Sequence, residues 1–113
     1  MTFNATLETT NAIAKITLSG ELDRKVAPLF QEQVEQAASQ EVKKLVLMMQ
    51  DLEYMASAGL RVLILAKQKM GADVDIYLVG AQEMVLDTIE KTGFNQSVFI
   101  LDEYDAAEIE KNL

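Results

Sequence analysis

Leu45-Val46-Leu47-Met48-Met49 is an unbroken apolar run of strand length, preceded by Lys43-Lys44 and followed by Gln50. Side chains alternate across a strand, so a strand that is apolar throughout has to be covered on both faces. This segment therefore belongs in the interior of a sheet. The rest of the chain has to provide strand neighbours on both sides and cover above and below.

The flanking sequence supplies these parts in order. Phe3, Ala5 and Leu7 alternate with polar residues over residues 2–8, and Ala12, Ala14, Ile16 and Leu18 do so up to Gly20. Two such runs around Thr9-Thr10-Asn11 read as a β-hairpin. Pro28 suits the first turn of a helix, and Phe30, Val34 and Ala37 form one apolar stripe through about Ser39. After the apolar run, residues 58–70 are composed of good helix formers and stop at Gly71. Residues 76–79 read as a strand and 82–92 as a helix with Val85, Leu86 and Ile89 inward, Gly93 serving as its left-handed cap. A short strand follows at 98–101. Asp105 and Glu108 are spaced as a capping box, and Tyr104 and Ile109 as a hydrophobic staple, opening a final short helix. The order β-β-α-β-α-β-α-β-α predicts an α/β fold with about four helices on a mixed, mostly parallel sheet. No linker or repeat divides the 113 residues, so a single domain over 1–113 is expected.

Composition removes several classes of function. Without cysteine or histidine, the chain lacks thiolate ligands, imidazole ligands and the commonest general base. Its five glycines stand singly, so no Gly-rich phosphate loop is present. Asp102, Glu103, Asp105 and Glu108 follow no calcium-loop spacing, and no metal or cofactor is expected. Lys67 and Lys69 lie at least two helical turns from Ser57, about 15 Å along a helix axis, too far for a serine–lysine pair. The chain does not read as an enzyme. Eighteen acids against ten bases give a net charge of −8, which disfavours nucleic acid and anionic membranes and would attract a basic docking face. The absence of a signal-like start and of a membrane-length apolar stretch points to the cytoplasm. Met48, Met70 and Met84 read as core filling.

One segment stands apart: Tyr54-Met55-Ala56-Ser57-Ala58-Gly59-Leu60-Arg61-Val62-Leu63. Ser57 occupies the position of a helix N-cap, its hydroxyl accepting from the N–H of Gly59 or Leu60. Glycine in a first helical turn weakens the helix by up to about 1 kcal/mol relative to alanine, which a simple cap does not explain. Small neighbours at Ala56, Ala58 and Gly59 leave the hydroxyl open to a large partner. A phosphate there would suit the positive end of the helix dipole while placing charge on a contact surface.

This segment resembles the signature of STAS domains, specifically stand-alone bacterial anti-sigma factor antagonists. Gly20-Glu21-Leu22-Asp23, Leu78-Val79-Gly80 and Thr92-Gly93-Phe94 are similar to further parts of the family pattern in the same order. The resemblance implies a STAS-like fold and partner switching. The partner would be an anti-sigma factor that is also a serine kinase, which phosphorylates the antagonist at the position matching Ser57 and so releases it; a serine phosphatase would reverse this. It also places Asp23 beside the docking face. That face is expected at Asp23, Arg24, Ala56, Ser57, Ala58, Gly59 and Arg61 because both segments lie at strand-to-helix junctions; a monomer or weak dimer is expected. Two positions depart from the family: Ala56 stands where many relatives carry an acid or serine, and Met48 replaces a strand acid. The alternative is an unphosphorylated STAS subunit, or a ligand-sensing module, of another signalling or transport assembly.

Overall fold

The computed structural model describes residues 3–111, so Thr2 of the expected first strand lies outside the described residues. β1 (Asn4–Thr10) and β2 (Ile13–Leu22) form an antiparallel hairpin. Its turn is Asn11-Ala12, one residue later than the sequence suggests, and both residues have positive φ (51° and 66°). That conformation matches the twist of a two-residue hairpin, and it costs the Cβ-bearing Ala12 about 1–2 kcal/mol. Ala12 is therefore a turn residue and not the start of the strand's apolar face.

From β2 onward the chain alternates: α1 (Ala27–Ala38), β3 (Lys44–Met55), α2 (Ser57–Met70), β4 (Asp75–Val79), α3 (Glu83–Glu90), β5 (Phe99–Leu101) and α4 (Ala106–Ile109). A single 3-10 turn, Phe94–Ser97, precedes β5; the sequence reading had no element there. The five strands lie in sequential order β1-β2-β3-β4-β5, with all pairs after the hairpin parallel. Each crossover advances in the same direction across the sheet. Right-handed connections therefore place α1, α2 and α3 on one face. There Phe30, Val34 and Ala37 from α1, Leu60, Leu63 and Ala66 from α2, and Val85 and Ile89 from α3 meet Ile16, Leu18, Leu45, Leu47 and Leu78 in one buried core.

β3 is the central strand, and its opposite face carries a second, smaller cluster: Ile13, Val46, Tyr77, Val79 and Ile109, with Met48 and Tyr104 packed against it. α4 supplies that cover. Asp105 caps it by accepting from Glu108 N (3.2 Å), Ile109 is fully buried, and Lys44 Nζ donates to Lys111 O (3.0 Å). The two faces of the apolar run are thus covered by different helices. Met48 serves as packing, but Met84 is 63% exposed and plays no core role.

Leu47 is fully buried between β2, β4 and the helices, so Leu47→Ala should lower stability by about 2–5 kcal/mol in chemical denaturation. On the other face, burial and the hydrogen bond from the Tyr104 hydroxyl to Glu110 Oε2 (2.8 Å) push the Tyr104 phenol up to about 12 from its ordinary 10.0. A folded pKa above the unfolded one means that this stabilisation is whole below about pH 10 and is lost as pH rises through about 12. Tyr104→Phe should remove one late-ionising step from an ultraviolet absorbance titration and flatten the loss of stability over that interval.

Candidate functional site

The site lies where β3 ends and α2 begins, and its position is set by an irregularity in β3. The strand pairs with β4 only over Lys44–Met48, but with β2 over its whole length to Met55. Along that pairing the register shifts twice: Thr17 faces Met48 but Ser19 faces Asp51, and Gly20 faces Leu52 but Glu21 faces Tyr54. Each shift inserts one extra residue in β3, a β-bulge. A bulge moves the inward position along by one, so the buried residues run Met49, Leu52, Met55 at intervals of three where a regular strand would alternate. Gln50, in the first bulged stretch, is held from the β4 side. Gln82 Nε2 donates to its carbonyl (2.9 Å), and a Cβ on Gly80 would lie 2.5 Å from its Cγ.

Ala56 N donates to Leu22 O (2.8 Å), which ties the helix start to the end of β2. The N-cap of α2 is Ala56, with φ −79° and ψ 168°, and Ser57 is the first helical residue. This corrects the reading of Ser57 as the cap: the backbone N–H groups of Gly59 and Leu60 go to the Ala56 carbonyl (3.0 and 3.2 Å), and no side chain caps the helix. The Ser57 hydroxyl is exposed and free of a capping duty.

Gly59 also differs from its expected role. It is buried and faces inward; a Cβ there would lie 2.7 Å from Leu22 Cγ and Cδ2 and 3.2 Å from Met55 Cγ. Its missing side chain lets the first turn of α2 seat on the end of β2, and does nothing to open the surface around the serine. Ala58 is half-buried at the surface beside Ser57.

Asp23, Arg24 and Lys25 form the turn from β2 into α1, at the same end of the sheet. Asp23 Oδ1 accepts from Lys25 N (2.9 Å) and Val26 N (3.2 Å), so this carboxylate shapes its own turn. Arg24 and Arg61 come together on a groove of about 260 Å³ between the start of α1 and the first turns of α2. Ala27, Pro28, Gln31, Ala58, Val62 and Leu65 complete its lining. The sequence reading missed these last contributors apart from Ala58. The available signal was that Ala58, Val62 and Leu65 follow helical spacing on the side of α2 that carries Arg61. Among the described residues no group of three or more acidic side chains converges as a metal site would require, and no helix is long and apolar enough to cross a membrane.

The family model for the STAS domain matches residues 4–107, nearly all of the described chain. The chain belongs to the STAS domain family. Solved structures share its fold at low identity. An anti-sigma factor antagonist from Mycobacterium paratuberculosis aligns with a TM-score of 0.88 at 19% identity, over 97% of this chain and 96% of that one. The antagonist SpoIIAA in its unphosphorylated form aligns at 0.81 and 19%, over 97% and 98%. The phosphorylated form of SpoIIAA, a Bacillus cell fate determinant, aligns at 0.73 and 18%, over 96% and 98%. No curated protein matches the chain.

Within this STAS domain the start of α2 lacks a side-chain cap, which leads to paired expectations for thermal or denaturant unfolding. Ser57→Ala should change stability by no more than about 0.5 kcal/mol, as at an ordinary surface position. Ala56→Asp should add about 0.5–2 kcal/mol by capping the helix. Gly59→Ala should destabilise by about 1–2 kcal/mol, because overpacking against Leu22 outweighs the gain in helix propensity.

Proposed function

We propose that this protein is an anti-sigma factor antagonist that works by partner switching, with Ser57 as its phosphate acceptor. The observation that carries this reading is the Ser57 hydroxyl itself: exposed, at the first position of α2, and free of any capping bond. A hydroxyl committed to capping would have to abandon its backbone partners on modification; this one does not. Similarity to antagonist structures in both unphosphorylated and phosphorylated forms supports it.

In the proposed cycle the protein binds an anti-sigma factor that is a serine kinase, which displaces the sigma factor. The kinase transfers the terminal phosphoryl group of ATP to Ser57 Oγ. The new O–P bond forms as the bond to ADP breaks, and the hydroxyl proton passes to a base of the kinase. The added charge, near −2, sits at the positive end of α2, so the domain tolerates it while the docked surface does not. A serine phosphatase returns the hydroxyl by hydrolysis. The docking face comprises Arg24, Ala56, Ser57, Ala58 and Arg61 on the surface. Asp23 holds the turn that presents Arg24, and Gly59 seats the helix from below. In this cycle the chemistry belongs to the kinase and the phosphatase, and the cytoplasm is where they would meet the protein.

Incubation with the cognate kinase and ATP, followed by mass spectrometry, should place a single phosphate on Ser57. Phosphate on Ser19, Ser39 or Ser97 in its place would overturn the assignment. Ser57→Asp should fold normally and bind the kinase at least about tenfold more weakly, whereas Ser57→Ala should bind and resist phosphorylation. If phosphorylation is slow, Ala56→Asp, which restores the acid that many relatives carry, should accelerate it.

A further inference from the structure

The groove beside Ser57 has a charge that the chain as a whole does not. The protein is at −8, yet none of the residues lining the groove is acidic, and its two charged members are both arginines. Arg24 and Arg61 are exposed, and among the described residues neither forms an ion pair. Nearby acids do not line the groove: Asp23 turns Oδ1 back onto its own backbone, Glu53 lies on the bulged part of β3, and Glu35 accepts from Gln31 Nε2 (3.1 Å) at the groove's α1 edge. Apart from Gln31, the rest of the lining is apolar: Ala27, Pro28, Ala58, Val62 and Leu65.

We propose that this groove docks an amphipathic partner segment whose carboxylates pair with Arg24 and Arg61, and that phosphate on Ser57 ejects that segment by taking up Arg61. The first part concerns the partner's chemistry; the second rests on the reading of Ser57 as phosphate acceptor. A guanidinium offers a planar fork of donors that fits a carboxylate, and an apolar floor accepts the aliphatic side of the same segment. The field of the acidic chain opposes such a partner at a distance, but it is screened beyond about 8–10 Å, whereas the arginines act at hydrogen-bond range. Ser57 and Arg61 are four residues apart on α2, so they are neighbours on the helix surface, with about 5–6 Å between Cβ atoms. A phosphate on Ser57 carries the sign of the partner's carboxylates and stands one turn from the arginine they need. It repels the segment and occupies its counter-charge in a single step.

The test titrates the full-length, isotope-labelled protein with a synthetic amphipathic helical peptide of leucine, alanine and glutamate. A twin peptide carries lysine for every glutamate, and binding is followed by NMR. The glutamate peptide should shift Gln31, Ala58, Arg61 and Leu65 and bind at least about tenfold more tightly than its twin. The double variant Arg24→Glu, Arg61→Glu should reverse that preference, and Arg61→Gln alone should weaken the glutamate peptide without favouring the lysine one. Phosphoserine encoded directly at position 57, with no kinase involved, should weaken the glutamate peptide by about tenfold or more. It should also move the Arg61 Nε–H resonance, and its effect should be smaller in the Arg61→Gln background. Equal binding of the twins, shifts that map elsewhere, or a preference unchanged in the double variant would overturn the docking assignment. An unmoved Arg61 resonance would overturn the role given to phosphate. A kinase that leaves Ser57 unmodified would count against the switching cycle alone, because the peptide measurements on unmodified protein do not depend on it.

Discussion

The pairing of β3 with β2 determines where everything at the site stands. Over Lys44–Met48 this ladder is one of two that hold the central strand; beyond Met48 it is the only one. It continues through two register shifts to Met55 and ends in the bond from Ala56 N to Leu22 O, immediately before the serine. The last stretch of β3 is thus paired as a strand along one side, held on the other by the bond from Gln82 to Gln50, and buried through Met49, Leu52 and Met55 underneath. β2 delivers the turn at Asp23–Lys25 from the same end of that ladder, since Leu22 pairs with Met55. Both sides of the groove are therefore positioned by one set of backbone hydrogen bonds, which explains how two segments more than thirty residues apart in the chain share it.

The direction of the connections produces the rest. Strands laid down in order, with crossovers of one hand, put α1, α2 and α3 on one face and bring the starts of α1 and α2 to the same end of the sheet. The seat of α2 then requires close approach, and Leu22, Met55 and Gly59 form it. Such a contact has little freedom to accommodate extra volume, since a packed interior transmits displacement and does not absorb it. A phosphate added at the exposed side of that first turn meets solvent, so a change of surface charge need not disturb the fold beneath.

Much of this was legible in the residues. The alternation in β2, the stripe Phe30-Val34-Ala37 and the capping pair Asp105–Glu108 all report a single period or a local hydrogen bond, which one sequence displays directly. The apolar run of β3 implied cover on both faces, and the structure provides it from two different sources. What failed was reading that needs more than one period. After Met49 the spacing of three in Met49-Leu52-Met55 matches neither a strand nor a helix, so the bulged half of β3 reads as a connection. Ser57 resembles a cap because serine favours that position; a shift of one residue along the chain gave the cap to Ala56 and freed the hydroxyl. Met84 reads as core filling from its residue type alone; α3 buries Val85 and Ile89 and leaves Met84 on its exposed side.

The bulges in β3 bear on how members of such a family could diverge. A strand ordinarily cannot change length by one residue without exchanging its inner and outer faces. A bulge is an extra residue already absorbed, and removing one shortens the strand by roughly 3.3 Å while the residues on either side keep their facing. Gln50 and Glu53 lie in the two stretches where the register slips, both exposed and both on the segment paired on one side only. They act as adjustable joints in an otherwise fixed frame. Through them the height of the serine above the sheet can be reset without a change to the core, and with it the shape of the proposed docking face.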